Sequence, residues 1–173
     1  RLMVRAPGYR ATTISGAAPG IPTMVSLAAF TPKALYLSFY GIGNKAIREA
    51  ALDSIRESNA LNAVVIDVKG DRGLVAFKTT VPLARAAKAD QITTIPDLPG
   101  LIMELHREGL YAIARIVVFK DDPLADARPD LAVTTTTGSV FKDREGLAWT
   151  DPFRREVWDY NIAIAVEAAR AGF

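Results

Sequence analysis

The chain has 173 residues, 50% of them hydrophobic and 23% charged, with one His and no Cys. That composition belongs to a globular domain of ordinary size and not to a disordered chain. It excludes a disulfide framework, a Cys-ligated zinc site and a thiol nucleophile, and a single His leaves no imidazole cluster for a metal. No apolar run approaches the roughly 20 residues of a membrane span.

The sequence pI of about 9.0 is a property of one end of the chain. Arg1, Arg5, Arg10, Lys33, Lys45 and Arg48 precede the first acidic residue, Glu49; from there on, 15 basic residues face 19 acidic ones. The basic excess therefore does not mark a nucleic-acid-binding face, and no nucleic-acid partner is expected.

Residues 1–32 lack sustained periodicity and are punctuated by Pro7-Gly8, Gly16, Pro19-Gly20, Pro22 and Pro32. They read as a flexible linker or tail. The apolar piece 24–30 is short and late for a signal-peptide core. Arg at position 1 suggests that the natural start of the protein lies upstream.

From residue 33 the pattern becomes regular. Residues 34–40 (ALYLSFY) predict a buried strand, 41–44 a turn, and Asn44 an N-cap. Ile47, Ala50, Ala51 and Ile55 predict the buried face of a helix reaching Glu57. Residues 60–68 predict a second strand, and 74–77 a small excursion strand in a long loop. Asp97 caps a third-unit helix with Leu98, Leu101, Ile102 and Leu105 on its apolar stripe. Gly109 ends that helix in the left-handed conformation, and 110–119 predicts the third strand. A long polar connection, 120–150, follows. Asp151-Pro152 is expected to open the last helix as N-cap and first residue, with Phe153, Val157, Tyr160, Ile164 and Ala168 buried and Gly172 as C-cap.

Strands that are apolar along their whole length and alternate with helices predict a parallel α/β sheet covered on both faces. Three strand–helix units are too few for an eightfold barrel, which takes about 250 residues. The expected architecture is a partial (β/α)8 TIM barrel. It comprises the first three β/α units over residues 33–173 and ends before a fourth strand.

In parallel α/β folds, ligands bind at the carboxyl ends of the strands. The candidates there are Tyr40 after the first strand, Asp67, Lys69, Asp71 and Arg72 after the second, and Arg115 and Lys120 on and after the third. Asp67 closes an apolar run and needs a partner, for which Lys69 and Arg115 are the choices. Alternation sets Arg115 on the face of Ile113. Trp149, in the loop before the last helix, has the chemistry to stack on a sugar ring or to plug the helix start. Trp158 reads as packing and His106 as a solvated residue at a helix C-terminus. Lys69-Gly70-Asp71-Arg72-Gly73 lacks the spacing of a phosphate loop, and Gly41-Ile42-Gly43 lacks the third glycine of a dinucleotide fingerprint. The 134–137 threonine run is assigned no chemistry.

Four segments in order, 34–44 (ALYLSFYGIGN), 61–73 (LNAVVIDVKGDRG), 114–121 (ARIVVFKD) and 147–152 (LAWTDP), resemble a bacterial glycoside hydrolase-like family. The resemblance implies a TIM-type barrel related to amylase-like and other retaining glycosidases, with members anchored at the envelope or secreted. It implies a carbohydrate substrate, no cofactor and no metal. Such enzymes use two carboxyls roughly 5–5.5 Å apart. By the resemblance these come from later strands, the next motif being an aspartate-containing strand after the helix that ends at Gly172. Tyr40, Asp67, Lys69, Asp71, Arg72, Arg115, Lys120 and Trp149 are then substrate-binding candidates, with Asp67 also a catalytic one. Gly70 departs from the family pattern, which favours Asp. The expected function is therefore a piece of a polysaccharide-cleaving hydrolase, inactive alone and needing the later strands of its own barrel, placed outside the cytoplasm or at the envelope. The alternative is a non-catalytic glycan-binding barrel of the envelope. A third, an enzyme of phosphorylated metabolites, is disfavoured by the acidic balance.

Overall fold

The structure, a computed structural model, describes residues 2–14 and 24–173. It falls into two compact units, 1–33 and 34–173. In the first, β1 (Leu2–Val4) and β2 (Thr12–Ile14) pair antiparallel. Tyr9 and Ala29 form an isolated antiparallel bridge, and the Arg10 guanidinium lies 4.3 Å from the Phe30 ring centre. Arg1, Gly16, Pro19, Gly20 and Pro22 lie outside the described residues.

The second unit is a mixed α/β structure around three parallel strands, β3 (Ala34–Leu37), β4 (Ala63–Lys69) and β5 (Tyr111–Ile116), in the order β3-β4-β5. The sheet is not closed into a barrel. Its main helices are α2 (Lys45–Glu57), α4 (Leu98–Arg107) and α6 (Arg155–Ala171). The short pieces α1 (Phe39–Gly43), α3 (Pro82–Ala86), α5 (Asp122–Ala127) and a 3-10 turn at Pro129–Leu131 fill the connections.

The core joins Leu37, Val64, Ile66, Val68 and Ala112 of the sheet to Leu52 and Ile55 of α2, Leu98, Ile102 and Leu105 of α4, and Val157, Tyr160, Ile164 and Ala168 of α6. The sheet residues in this list are alternate positions, so they share one face. Tyr36, Val65 and Ile113, which are register partners across the other face, belong to no part of it. On that face Ala63 and Asp67 are buried, Val65 and Ile113 are partly buried and Tyr36 is half exposed, so it is less completely packed than the core face.

Several boundaries differ from the sequence reading. The first strand stops at Leu37 and not at Tyr40. The Ser38 side chain accepts from Gly41 N (3.2 Å) and caps α1, while Phe39 N donates to Asp67 (3.1 Å), which takes the backbone out of the ladder. On α2, Asn44 caps as expected, accepting from Ile47 N. The buried face, however, centres on Leu52 and Ile55, with Ile47 and Ala50 exposed. The excursion at 74–77 makes only one bridge, Lys69 to Val75. The polar connection 120–150 is built of α5, the 3-10 turn and small bridges, including Lys120 to Trp149 and Thr134 to Val140. The last helix starts at Arg155; Asp151 instead accepts from Phe153 N (2.9 Å) in a preceding turn, leaving Phe153 93% exposed. Asp97, Gly109 and Gly172 take the capping roles read from the sequence.

Candidate functional site

The carboxyl ends of the strands bring Tyr36, Asp67, Asp71 and Arg115 into one hydrogen-bonded group. Asp67 and Arg115 are register partners on β4 and β5. Arg115 Nη1 donates to Asp67 Oδ1 (2.7 Å) and to the Tyr36 hydroxyl (3.2 Å), and Nη2 donates to Asp71 Oδ1 (2.8 Å). The Tyr36 hydroxyl donates to Asp67 Oδ2 at 2.6 Å. Asp67 is 2% exposed and its two oxygens take three donors, from Tyr36, Phe39 N and Arg115. A buried carboxylate satisfied in this way fixes the groups around it. Burial first, then the hydrogen bond to Asp67, pushes the Tyr36 hydroxyl up to about 12.

Beside this group lies a cleft of about 180 Å³, lined by Tyr36, Ser38, Tyr40, Asp67, Asp71 and Arg72 among others. Tyr40 sits on α1 and is 57% exposed, its ring edge-on to Phe39. Gly70 and Gly73 let the charged loop approach closely. A Cβ at Gly70 would lie 2.9 Å from Phe39 Cβ, and one at Gly73, where φ is +79°, would lie 2.5 Å from Asp121 Oδ1. At Gly70, Phe39 occupies the space a side chain would need.

Lys69 is elsewhere. A register shift between Asp67 and Lys69 turns it away from Asp67. Its ammonium is fully buried, 2.6 Å from Asp121 Oδ2, and donates to Val117 O and to Asn161 Oδ1. Burial outweighs the mutual attraction on both sides, so Lys69 is pushed below and Asp121 above its ordinary range. The pair ties the ends of β4 and β5 to α6 and does not line the cleft.

Lys120 and Trp149 form a third group. Asp143 Oδ2 takes Lys120 Nζ (3.0 Å) and Trp149 Nε1 (3.1 Å), and Lys120 also pairs with Glu145. The Lys120 ammonium, before the other partners, holds Asp143 well below the usual carboxylate range. These residues do not line the cleft beside Asp67. Trp158 is half exposed and donates to Pro152 O, and His106 is exposed.

Tyr36, Asn161, Asp143 and Glu145 are members that reading the sequence misses. Tyr36 was detectable in principle, since setting the three strands in parallel register places it on the Asp67–Arg115 face. A larger groove, about 520 Å³, lies between α2 and α4, away from the strand ends. Two of its charged residues, Arg56 and Glu108, pair with each other at 2.7 Å. Among the described residues there is no cluster of three or more metal-ligating side chains, and no helix is long and apolar enough to cross a membrane.

No curated protein matches the chain. The crystal structure of a hypothetical protein from Ruminiclostridium thermocellum ATCC 27405 is similar at 30% identity and a TM-score of 0.71, over 80% of this chain and 72% of that one. The family whose model matches residues 34–173 is described as "Putative glycosyl hydrolase domain". That match takes in the whole second unit, including all three groups of side chains described above, and the chain belongs to this glycosyl hydrolase family.

Proposed function

We propose that residues 34–173 form the first three β/α units of a (β/α)8 barrel that binds a polysaccharide at the carboxyl ends of its strands and hydrolyses its glycosidic bonds. The observation that carries this reading is the Tyr36–Asp67–Arg115–Asp71 network. It is a satisfied polar group, aimed beside a cleft, on the face of the parallel sheet away from the main core cluster. On that face a closed barrel has its interior, and at that end its mouth. Asp67 serves as a positioning carboxylate for Tyr36 and Arg115, while Tyr40, Asp71 and Arg72 meet the sugar. Lys69 acts from beneath by holding the strand ends, and Lys120 and Trp149 form a second part of the mouth. The catalytic pair comes from strands beyond these three, at the separation a retaining or inverting mechanism requires. The family resemblance supports placing the protein at the cell envelope, which fractionation of the host would test.

The test compares the 173-residue chain with a chain carrying the following strands on a glycan panel, by binding and by turnover. Binding by both and turnover by the longer chain alone is the expected outcome. Turnover by the 173-residue chain alone would overturn the assignment of the catalytic pair. Binding without turnover by either would favour a glycan-binding barrel.

A further inference from the structure

We propose that the cleft beside Asp67 recognises an acidic sugar, with Arg72 as the residue that pairs with its anionic group. The proposal rests on the carbohydrate reading above and narrows it to a ligand class.

It follows from an inventory of donors and acceptors at the cleft. Carbohydrate sites for neutral sugars present acceptors as well as donors, because each hydroxyl gives one hydrogen bond and takes others. Here most of the acceptors are already spent. Asp67 is closed off by Tyr36, Phe39 N and Arg115, and Asp71 Oδ1 is held by Arg115, which leaves Asp71 Oδ2 as the one open carboxylate oxygen on the cleft wall. The Ser38 oxygen accepts from Gly41 N, which leaves its proton available. Apart from that oxygen, the uncommitted side-chain groups can all donate. Arg72 is exposed and lines the cleft, and its guanidinium has no ion pair or hydrogen bond among the described residues. The Tyr40 hydroxyl, on the same wall, has none either.

The two arginines thus have different tasks. Arg115 is neutralised by Asp67 and Asp71 and belongs to the protein's own network. Arg72 presents a planar fork of donors that matches the two oxygens of a carboxylate or sulfate. Tyr36 and Tyr40, about half exposed, supply apolar surface for a ring.

The experiment is titration calorimetry of the chain with three oligosaccharides of equal length and linkage: a galacturonate oligomer, the neutral galactose oligomer and its sulfated form. Each is run with the wild type, Arg72→Ala and Arg72→Lys. The expected result is that an acidic oligomer binds about tenfold more tightly than the neutral one, as one charge-assisted pair supplies. That preference shrinks as salt is raised. Arg72→Ala weakens the acidic oligomer about tenfold more than the neutral one, which removes the preference, and Arg72→Lys restores part of it. Which acidic oligomer binds more tightly identifies the anionic group. Equal or tighter binding of the neutral oligomer overturns the acidic-sugar assignment and leaves the carbohydrate reading standing. A preference that survives Arg72→Ala overturns the role of Arg72. Binding of none of the three overturns the proposal together with the carbohydrate reading of this cleft.

Discussion

Lys69 carries its ammonium into a site with no solvent exposure, where Asp121 is its one carboxylate. Removing one member of such a pair strands the other, which costs far more than the pair itself contributes. Lys69→Met is expected to lose about 3 kcal/mol of stability at pH 7 by urea unfolding. The loss has a pH signature. In the variant, Asp121 keeps its burial and loses the cation that opposes it, so its folded pKa stands further above the ordinary 3.8. The folded state then holds a proton that the unfolded chain has released. The deficit is smallest below about pH 4 and grows as pH rises through the folded pKa. A deficit independent of pH would show that Asp121 is not the stranded group, and Lys69→Met with Asp121→Asn should recover part of the loss. At this scale the sequence was half readable. The Asp67–Arg115 pair follows from alternation along two parallel strands. The Lys69–Asp121 pair does not, because a bulge between Asp67 and Lys69 breaks that alternation and no period in the sequence announces it.

Helix starts separate what local chemistry decides from what packing decides. Asp97 accepts from Gly100 N at 2.9 Å, a cap within its own turn, and it was legible for that reason. Asp97→Ala should cost about 1 kcal/mol, or roughly 2–4 °C in thermal midpoint. Asp151 had the same sequence signature, yet its acceptor bond closes a turn ahead of α6 and the helix begins at Arg155. Asp151→Ala should therefore shift the midpoint less than Asp97→Ala, and a larger shift would restore Asp151 as the cap of α6. The end of β3 was illegible for another reason: the competitor for its backbone, Asp67, lies 28 residues away. The loop after β4 depends on contacts no local pattern carries. At Gly73 a methyl group would meet both a φ of +79° and the Asp121 carboxylate 2.5 Å away. Gly73→Ala should destabilise by about 2 kcal/mol or more, measured by the same urea unfolding.

At the scale of the whole sheet, period and composition were enough to give parallel strands in the order β3-β4-β5, since each apolar run is followed by an amphipathic helix. They could not say which face the helices would take. Alternate residues on both faces are apolar: Val64, Ile66 and Val68 on one, Val65 and Ile113 on the other. Only the first set is packed into the core. Parallel sheets are stable with both faces covered, because an uncovered face leaves apolar side chains in water. The 173-residue chain by itself should therefore associate through the face that carries Tyr36, Val65 and Ile113. Sedimentation at tens of micromolar protein is expected to give a mass above the 18.7 kDa of one chain. Ile113→Lys places a charge on that face, two residues before Arg115 on the same strand. It should return the protein to a monomer while leaving the far-ultraviolet circular dichroism unchanged. A wild type that stays monomeric at that concentration would show that the open face is covered within the chain itself. The barrel reading would then lose the feature that calls for further strands.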